Sequence, residues 1–578
     1  MKHTKFIFIL FASALLLLSS CGEDFLYKSP QGSIDGPALE NQAGVDLLTT
    51  TAYANLTEGN WGATPFNWTF GGMYGGDANK GSDANDQSIL NEMESYNILP
   101  TNGYINEKFA WVYKGAKRAN IALQTLERVE DVPEEYRKGR VGELLFLRSL
   151  FYFEGVKVFG PFIPWVDETI LDNDPKVHND IDIYPKILAD IDIAIQNLPA
   201  KQSQPGRANS WAAKTLKAKI LMQKGDLAAA KPILKDVLDN GITSNGMKYG
   251  LENDMNHNFS SYTENGKESI FAVQFSAEPN NANEGMSLCY PHGGSGVPGG
   301  CCGFYQPSNE LANSFKVDAN GLPFLDNTYR AAPYVTVRNT DNVSVNNNIP
   351  VDPRIDFAIG RVGIPYKDWG PAQGNWVRDV ASGGFYLPKK HVYSLQEQNE
   401  DLASGSLSAG WAPGSAINLQ YLSVRDVMLM YAECLANDND LNGAMNMVNQ
   451  IRTRAAQPQN IIMIDNTPAA NYKISNYPSS HAAFTNKDMC IKAIRMERKL
   501  ELAMEGSRWF DLTRWGGQYM NQELSAYVNF EKQFLAKFQT ASILSAEKTT
   551  FPLPERQIQT MGVDEAGKPY LEQKGPWS

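Results

Sequence analysis

The chain lacks a basic excess, a long apolar run and a large cysteine complement, and each shortage excludes something. Its 52 Lys and Arg stand against 64 Asp and Glu, a formal charge of −12. Nucleic acid is bound mainly through clustered cations on phosphate, so no nucleic-acid partner is expected. Of the 6 cysteines none forms a CxxC pair, which removes the usual zinc spacing. GxxxxGK[ST], HExxH and GxSxG are also missing, so phosphate-loop, metalloprotease and serine-hydrolase chemistry has no carrier. No metal and no cofactor is expected. What is plentiful is apolar residues at 43%, aromatics at 11%, 47 Gly and 31 Pro. That mixture fills large cores and leaves long irregular segments carrying rings.

The longest apolar run, Phe6 to Leu18, follows Lys2 and Lys5 and precedes Ser19-Ser20-Cys21. Its length, at about 1.5 Å per residue, falls short of the roughly 30 Å hydrocarbon core, so it reads as an export signal. Leu18-Ser19-Ser20-Cys21-Gly22 resembles a bacterial lipoprotein box, with Cys21 as the acylated residue, and Glu23-Asp24 resembles a surface-export tag. The expected location is the outer face of the cell outer membrane, held by the lipid on Cys21. Of the remaining cysteines, Cys434 and Cys490 lie in apolar helical patterns. Cys289 with Cys301 or Cys302 is a candidate for closing one short loop.

Helical periodicity dominates both ends of the chain. Positions 109, 112, 113, 116, 119, 123 and 126 recur at helical spacing, and further helices are expected over about 141–159, 183–198, 210–224 and 227–238, stopped by Gly or Pro. Ala218, Leu221, Asp226, Leu227 and Ala230 return 214 residues later as Ala432, Leu435, Asp440, Leu441 and Ala444. A helix, an Asp-Leu turn and a second helix with small residues at the crossing is a tetratricopeptide-like hairpin. Between the copies, Lys248 to Ser415 holds a glycine run, an Asn-rich stretch and short strand-like pieces. The predicted fold is mainly α: a tetratricopeptide-like hairpin scaffold interrupted by a loop-rich inserted lobe. The expected divisions are 1–20 signal, 21–43 anchored segment, 44–247 scaffold with an N-terminal loop region, 248–415 ligand lobe, and 416–578 scaffold continuation.

Several motifs follow in a fixed order: Phe25-Leu26 after Cys21, Phe146-Leu147-Arg148-Ser149-Leu150-Phe151-Tyr152-Phe153, Arg425-Asp426 to Glu433, Glu497-Arg498 to Gly516, and Phe551-Pro552-Leu553-Pro554. As an ordered set they resemble the SusD/RagB family of surface nutrient-binding lipoproteins. The resemblance implies a non-enzymatic glycan-binding lid on a SusC-like TonB-dependent transporter, capturing oligosaccharide or polysaccharide for import. A peptide-capturing RagB-like binder is the alternative, and a surface glycoside hydrolase a more distant one. Read physically, the Arg–Asp and Glu–Arg pairs of these motifs are structural, since a guanidinium does not give up its proton.

Binding residues are sought among aromatics outside the helices. Trp111, Trp211, Trp509 and Trp515 belong to helical patterns and are assigned to the core. A pyranose offers a C–H face to a flat ring and a rim of hydroxyls to short polar side chains. Two segments have that mixture: Trp61, Trp68 and Tyr74 leading into a Gly/Asp/Asn stretch, and Tyr290, His292, Tyr305, Trp369 and Trp376 in the insertion. The family resemblance adds Asp77 and Lys80, from an Asp-x-x-Lys-Gly pattern. The Asp77-x-Asn79-x-Gly81-x-Asp83 spacing hints at calcium, but the twelfth position is Ser88 rather than a bidentate Glu, so a sugar-contacting loop is the preferred reading.

Overall fold

The computed structural model describes residues 36–578 apart from 59–61, 172–173, 279–280, 294–295, 339–342, 408–411 and 543. Cys21 and Trp61 lie outside the described residues. The N-terminal scaffold comprises α1 (Gln42–Ala54), α2 (Gly103–Arg128), α3 (Glu134–Phe159), α4 (Tyr184–Asn197), α5 (Ser210–Lys224) and α6 (Leu227–Asn240). From α2 onward each helix packs on the next. From Gly142 to Phe159 every residue of α3 is buried, so the aromatic motif in its second half is a helix apolar all round at the centre of the molecule. Its charges are neutralised inside: Arg148 bonds Asp190 at 2.6 Å, and Glu154 pairs with Lys108 at 3.0 Å and Lys157 at 2.5 Å.

The repeated sequence folds into two matching hairpins. The α5–α6 turn is capped by Asp226, which accepts from the Ala229 N–H at 3.1 Å; α7 (Val424–Asn437) and α8 (Leu441–Ala455) are joined by Asp440, accepting from Gly443 at 2.8 Å. Side-chain capping of this kind satisfies an orphan donor at the helix start, which is why Asp recurs there. Ala218, Ala230, Ala432 and Ala444 are all fully buried at the crossings. The hairpins also pack on each other, α6 against α7, with Lys219–Asp426 at 2.7 Å and Lys231–Asp438 at 2.6 Å across the seam. The array interrupted in sequence is therefore continuous in space.

Between α6 and α7 the backbone makes short helices, turns and two-stranded pairings. Two pairings tie it to the scaffold: β1 (Ala78–Gly81) runs antiparallel to β3 (Phe304–Pro307), and β2 (Ser269–Val273) to β4 (Leu419–Ser423). After α8 come α9 (Lys487–Glu501), α10 (Arg508–Arg514) and α11 (Gly517–Glu531). The insertion and the helices share one hydrophobic core. Among the described residues no helix is long and apolar enough to cross a membrane.

Charged motifs of α7 to α10 bolt the insertion to this scaffold. Arg354 in the insertion bonds Asp352 at 2.7 Å, Glu497 at 2.6 Å and Glu501 at 3.1 Å. Glu501 also pairs with Arg454, and Glu505 takes Lys390 at 2.8 Å and Arg425 at 2.9 Å. Burial alone would raise the Glu501 carboxyl, but Arg454 and Arg354 hold it down at about 2. Arg498 grips Asp511 through two bonds of 2.9 Å, and Arg514 bonds Glu433 at 2.6 Å. These contacts are structural, but not between the neighbours expected from the sequence: Arg425 bonds Glu268 and Glu505 rather than Asp426, and Glu497 bonds Arg354 and Arg452 rather than Arg498.

Candidate functional site

Pairing of β1 with β3 brings together segments more than 200 residues apart in sequence, in the register Ala78↔Pro307 to Gly81↔Phe304. The Ser82 N–H donates to the Gly303 carbonyl at 2.5 Å, so the loop after β1 emerges beside the glycine-rich turn before β3. Lys80, buried, extends its ammonium to the carbonyls of Asp83 at 2.9 Å, Ala84 at 3.4 Å and Asp86 at 2.8 Å. It staples that loop rather than facing a ligand, and burial draws its pKa below the ordinary lysine value. The stapled loop presents Asp83 and Asp86 to Arg378, at 2.7 Å and 2.6 Å, with Ser82 Oγ accepting from the same guanidinium at 2.7 Å.

His292 completes this corner. Its N–H donates to the Trp376 carbonyl at 2.9 Å, and its Cβ and that of Arg378 flank Gly303, whose φ of +80° favours glycine. Burial, then Arg378, pull the His292 imidazole below its ordinary pKa, so at neutral pH it is a neutral donor and acceptor. Trp369, half-buried, donates its indole N–H to the Tyr393 carbonyl at 3.1 Å. Tyr262, 46% exposed, places its hydroxyl on Glu400 at 2.8 Å, with Glu397 and Asp368 close enough to act on its charge. Asp368 itself accepts the Leu395 and Gln396 N–H groups at 2.7 and 2.8 Å. Trp376 links the two groups, its carbonyl taking the His292 N–H and its ring packing on Tyr366, whose carbonyl takes the Trp369 N–H, so together they form a candidate face of rings, carboxylates, one guanidinium and one imidazole.

Besides Lys80, six of the expected site residues do not reach this face. Trp68 is fully buried against Phe304 and Tyr305, and Tyr74 lies between Tyr96, Trp509 and Phe551 at 4.4–5.0 Å between ring centres. Tyr290 packs on Tyr393, Tyr305 on Phe66, and Trp376, 3% exposed, on Tyr366. A ring whose faces are taken by protein cannot stack on a sugar. Asp77 is buried as well, with one oxygen accepting from the Met504 N–H at 3.3 Å and the other without a partner. Desolvation raises its pKa to about 7. The glycines around Tyr74 allow close packing rather than a loop tip: a Cβ on Gly71 would sit 1.7 Å from the Gly506 carbonyl oxygen.

Asp77, Asn79 and Asp83 turn to three separate partners, Met504, Gly383 and Arg378, so they do not converge as a calcium loop. Among the described residues no group of three or more His, Cys, Asp or Glu is arranged to hold a metal. The candidate loop closure through Cys289 is not formed: Cys301 is joined to its neighbour Cys302, while Cys289, Cys434 and Cys490 are free and buried. His292 and Trp369 are the expected residues that do lie at the face. Sequence reasoning missed Tyr262 and Arg378, and reached Asp83 and Asp86 only as part of the Gly/Asp/Asn stretch. Arg378 carries no signal in sequence, because its role comes from a loop nearly 300 residues away.

Residues 267–565 match the model of the SusD family, and residues 24–222 match a second model described as starch-binding and associating with the outer membrane. The chain belongs to the SusD family. A SusD-like protein of Bacteroides ovatus is 21% identical over 551 residues, covering 90% of this chain and 84% of the relative. Among solved structures, a laminarin-binding SusD-like protein superposes with a TM-score of 0.65 at 19% identity, covering 93% of this chain and all of the other. Surface glycan-binding protein A of Bacteroides thetaiotaomicron, solved with laminarihexaose, gives 0.61 at 17% identity, covering 92% and 99%. At these identities the superpositions establish a shared SusD fold.

Proposed function

We propose that this SusD-family chain is a non-catalytic surface lipoprotein, anchored through Cys21, that captures oligosaccharide on the open loop face and delivers it to a SusC-like TonB-dependent transporter. The segment 248–415 serves as the ligand lobe. The observation that carries this reading is that partly exposed Trp369, Tyr262, Arg378 and neutral His292, with carboxylates beside them, stand on adjoining loops linked through Trp376 and Tyr366. Rings take the C–H face of a pyranose, and the polar groups take its hydroxyls in fixed directions. Family membership and the two fold neighbours whose names record laminarin and laminarihexaose support the ligand class.

At the Arg378 corner the chemistry of the carboxylates favours binding over cleavage. Glycoside hydrolysis needs one carboxyl with a raised pKa to protonate the leaving oxygen. Asp83 and Asp86 share Arg378, and the N–H groups of Asn85 and Asp86, followed by Arg378, hold Asp83 below its ordinary value. That arrangement suits hydrogen-bond acceptance, not acid catalysis. A Kd of ~0.1 mM, or about −5.5 kcal/mol, is within reach of two stacked rings and a few hydrogen bonds.

The test is electrophoresis through gels containing soluble polysaccharides. Trp369→Ala with Tyr262→Ala, and separately Arg378→Ala, should weaken retardation about tenfold in effective affinity while leaving the thermal midpoint within a few degrees. Retardation unchanged in all three substitutions, on every glycan that retards the parent chain, rejects this face as the site.

A further inference from the structure

Buried arginines in this fold almost all sit on carboxylates, as Arg354, Arg425, Arg454, Arg498 and Arg514 do. Two others do not follow the pattern, Arg508, which is buried, and Arg495, which is half-buried; both line the same cleft of about 580 Å³ between α9, α11 and the turn Thr328–Arg330, where the carboxylates of Asp326, Asp488 and Glu523 also stand. The Arg495 guanidinium lies 4.9 Å from the ring centre of Trp515 and 4.1 Å from that of Tyr519, and its Nε is buried without an acceptor. Arg508 has a side chain only 8% exposed, yet its nearest carboxylate, Glu523, is 3.6 Å away, beyond hydrogen-bonding distance. Glu523 is also held by Arg330 at 3.2 Å, so it neutralises neither arginine fully. Lys492 is exposed at the same cleft, and Lys499, the fourth lining cation, is already taken by Glu310 at 2.6 Å.

Leaving guanidinium N–H groups buried and unpaired is costly, and the cost is recovered when an acceptor arrives. Guanidinium presents parallel donors that match a carboxylate or sulfate in a bidentate way, and the ring stacking of Arg495 fixes the plane of that fork. We infer that this cleft is an oxyanion site, built to receive a carboxylate or sulfate such as that of an acidic sugar. The space exceeds what a bare ion needs, and Asn327 and Gln522 in the lining supply amides suited to neighbouring hydroxyls. None of its lining residues belongs to the loop face, so the inference stands independently of the function proposed for that face.

Saturation-transfer NMR on the full chain with glucuronate, glucose and inorganic sulfate tests it. Transfer to glucuronate and not to glucose is expected. Arg495→Gln, which removes no ion pair, should weaken glucuronate binding about tenfold while lowering the thermal midpoint by no more than a few degrees, and Lys492→Gln at the mouth should weaken it less. Displacement by equimolar sulfate identifies the oxyanion alone as the ligand; resistance to sulfate identifies the sugar-borne carboxylate. Equal transfer to glucose and glucuronate, or glucuronate binding unaltered by Arg495→Gln, overturns the site. Retardation by neutral polysaccharide should be untouched by Arg495→Gln, so failure here is distinguishable from failure of the loop face.

Discussion

Asp77 shows how a side chain rich in apparent binding chemistry can serve packing instead. One of its oxygens has no partner and the group is buried, so its pKa rises to about 7. A raised carboxyl keeps its proton in the folded chain while the unfolded chain loses it near pH 4, so this group's contribution to stability falls as pH rises from about 4 to 7. Asp77→Asn mimics the protonated form. It should raise the thermal midpoint at pH 8 and raise it less at pH 5; an equal shift at both values would refute the assignment. The same site shows where sequence reasoning stops. Gly, Asn and Pro around Trp68 and Tyr74 correctly mark irregular backbone, but irregular backbone is not always surface. Here the glycines let that backbone press against Gly506 and Trp509, a contact made by residues more than 400 positions away. Trp369 and His292 were legible because their segments do reach solvent.

Helical elements were read more completely, because periodicity and stop signals are local. The expected helix over 210–224 is α5 to the residue, and the Asp-Leu echo became two capped hairpins. What the spacing could not reveal is that the hairpins touch, since nothing local records the return of a chain after an insertion of this length. Their crossing depends on alanine, and Ala230→Leu or Ala444→Leu should cost about 1–3 kcal/mol in urea unfolding through overpacking. The charged motif in α9 belongs to a different joint. Glu501→Gln would leave Arg454 and Arg354 without their shared carboxylate and should cost about 3–5 kcal/mol; a loss under about 1 kcal/mol would show that the insertion is held by packing alone.

In the whole molecule these charges set opposing pH limits. Glu501, held near 2 against an ordinary value near 4.5, contributes stability that is complete above about pH 4.5 and lost as pH falls through 2. Asp77 and Glu531, both raised by burial to about 7, act in the other direction as pH rises. Buried His391, its imidazole pushed down to about 3, opposes them, because its contribution grows as pH rises towards about 6.5. The fold thus reads as a helical frame, ionically bolted to an irregular lobe that carries the proposed ligand face. The most direct test is calorimetric titration of the chain with laminarin and a panel of other soluble glycans, followed by a reducing-end assay on the same samples. The account predicts saturable binding of at least one glycan near ~0.1 mM with no new reducing ends; new reducing ends, or no binding to any glycan, would contradict it.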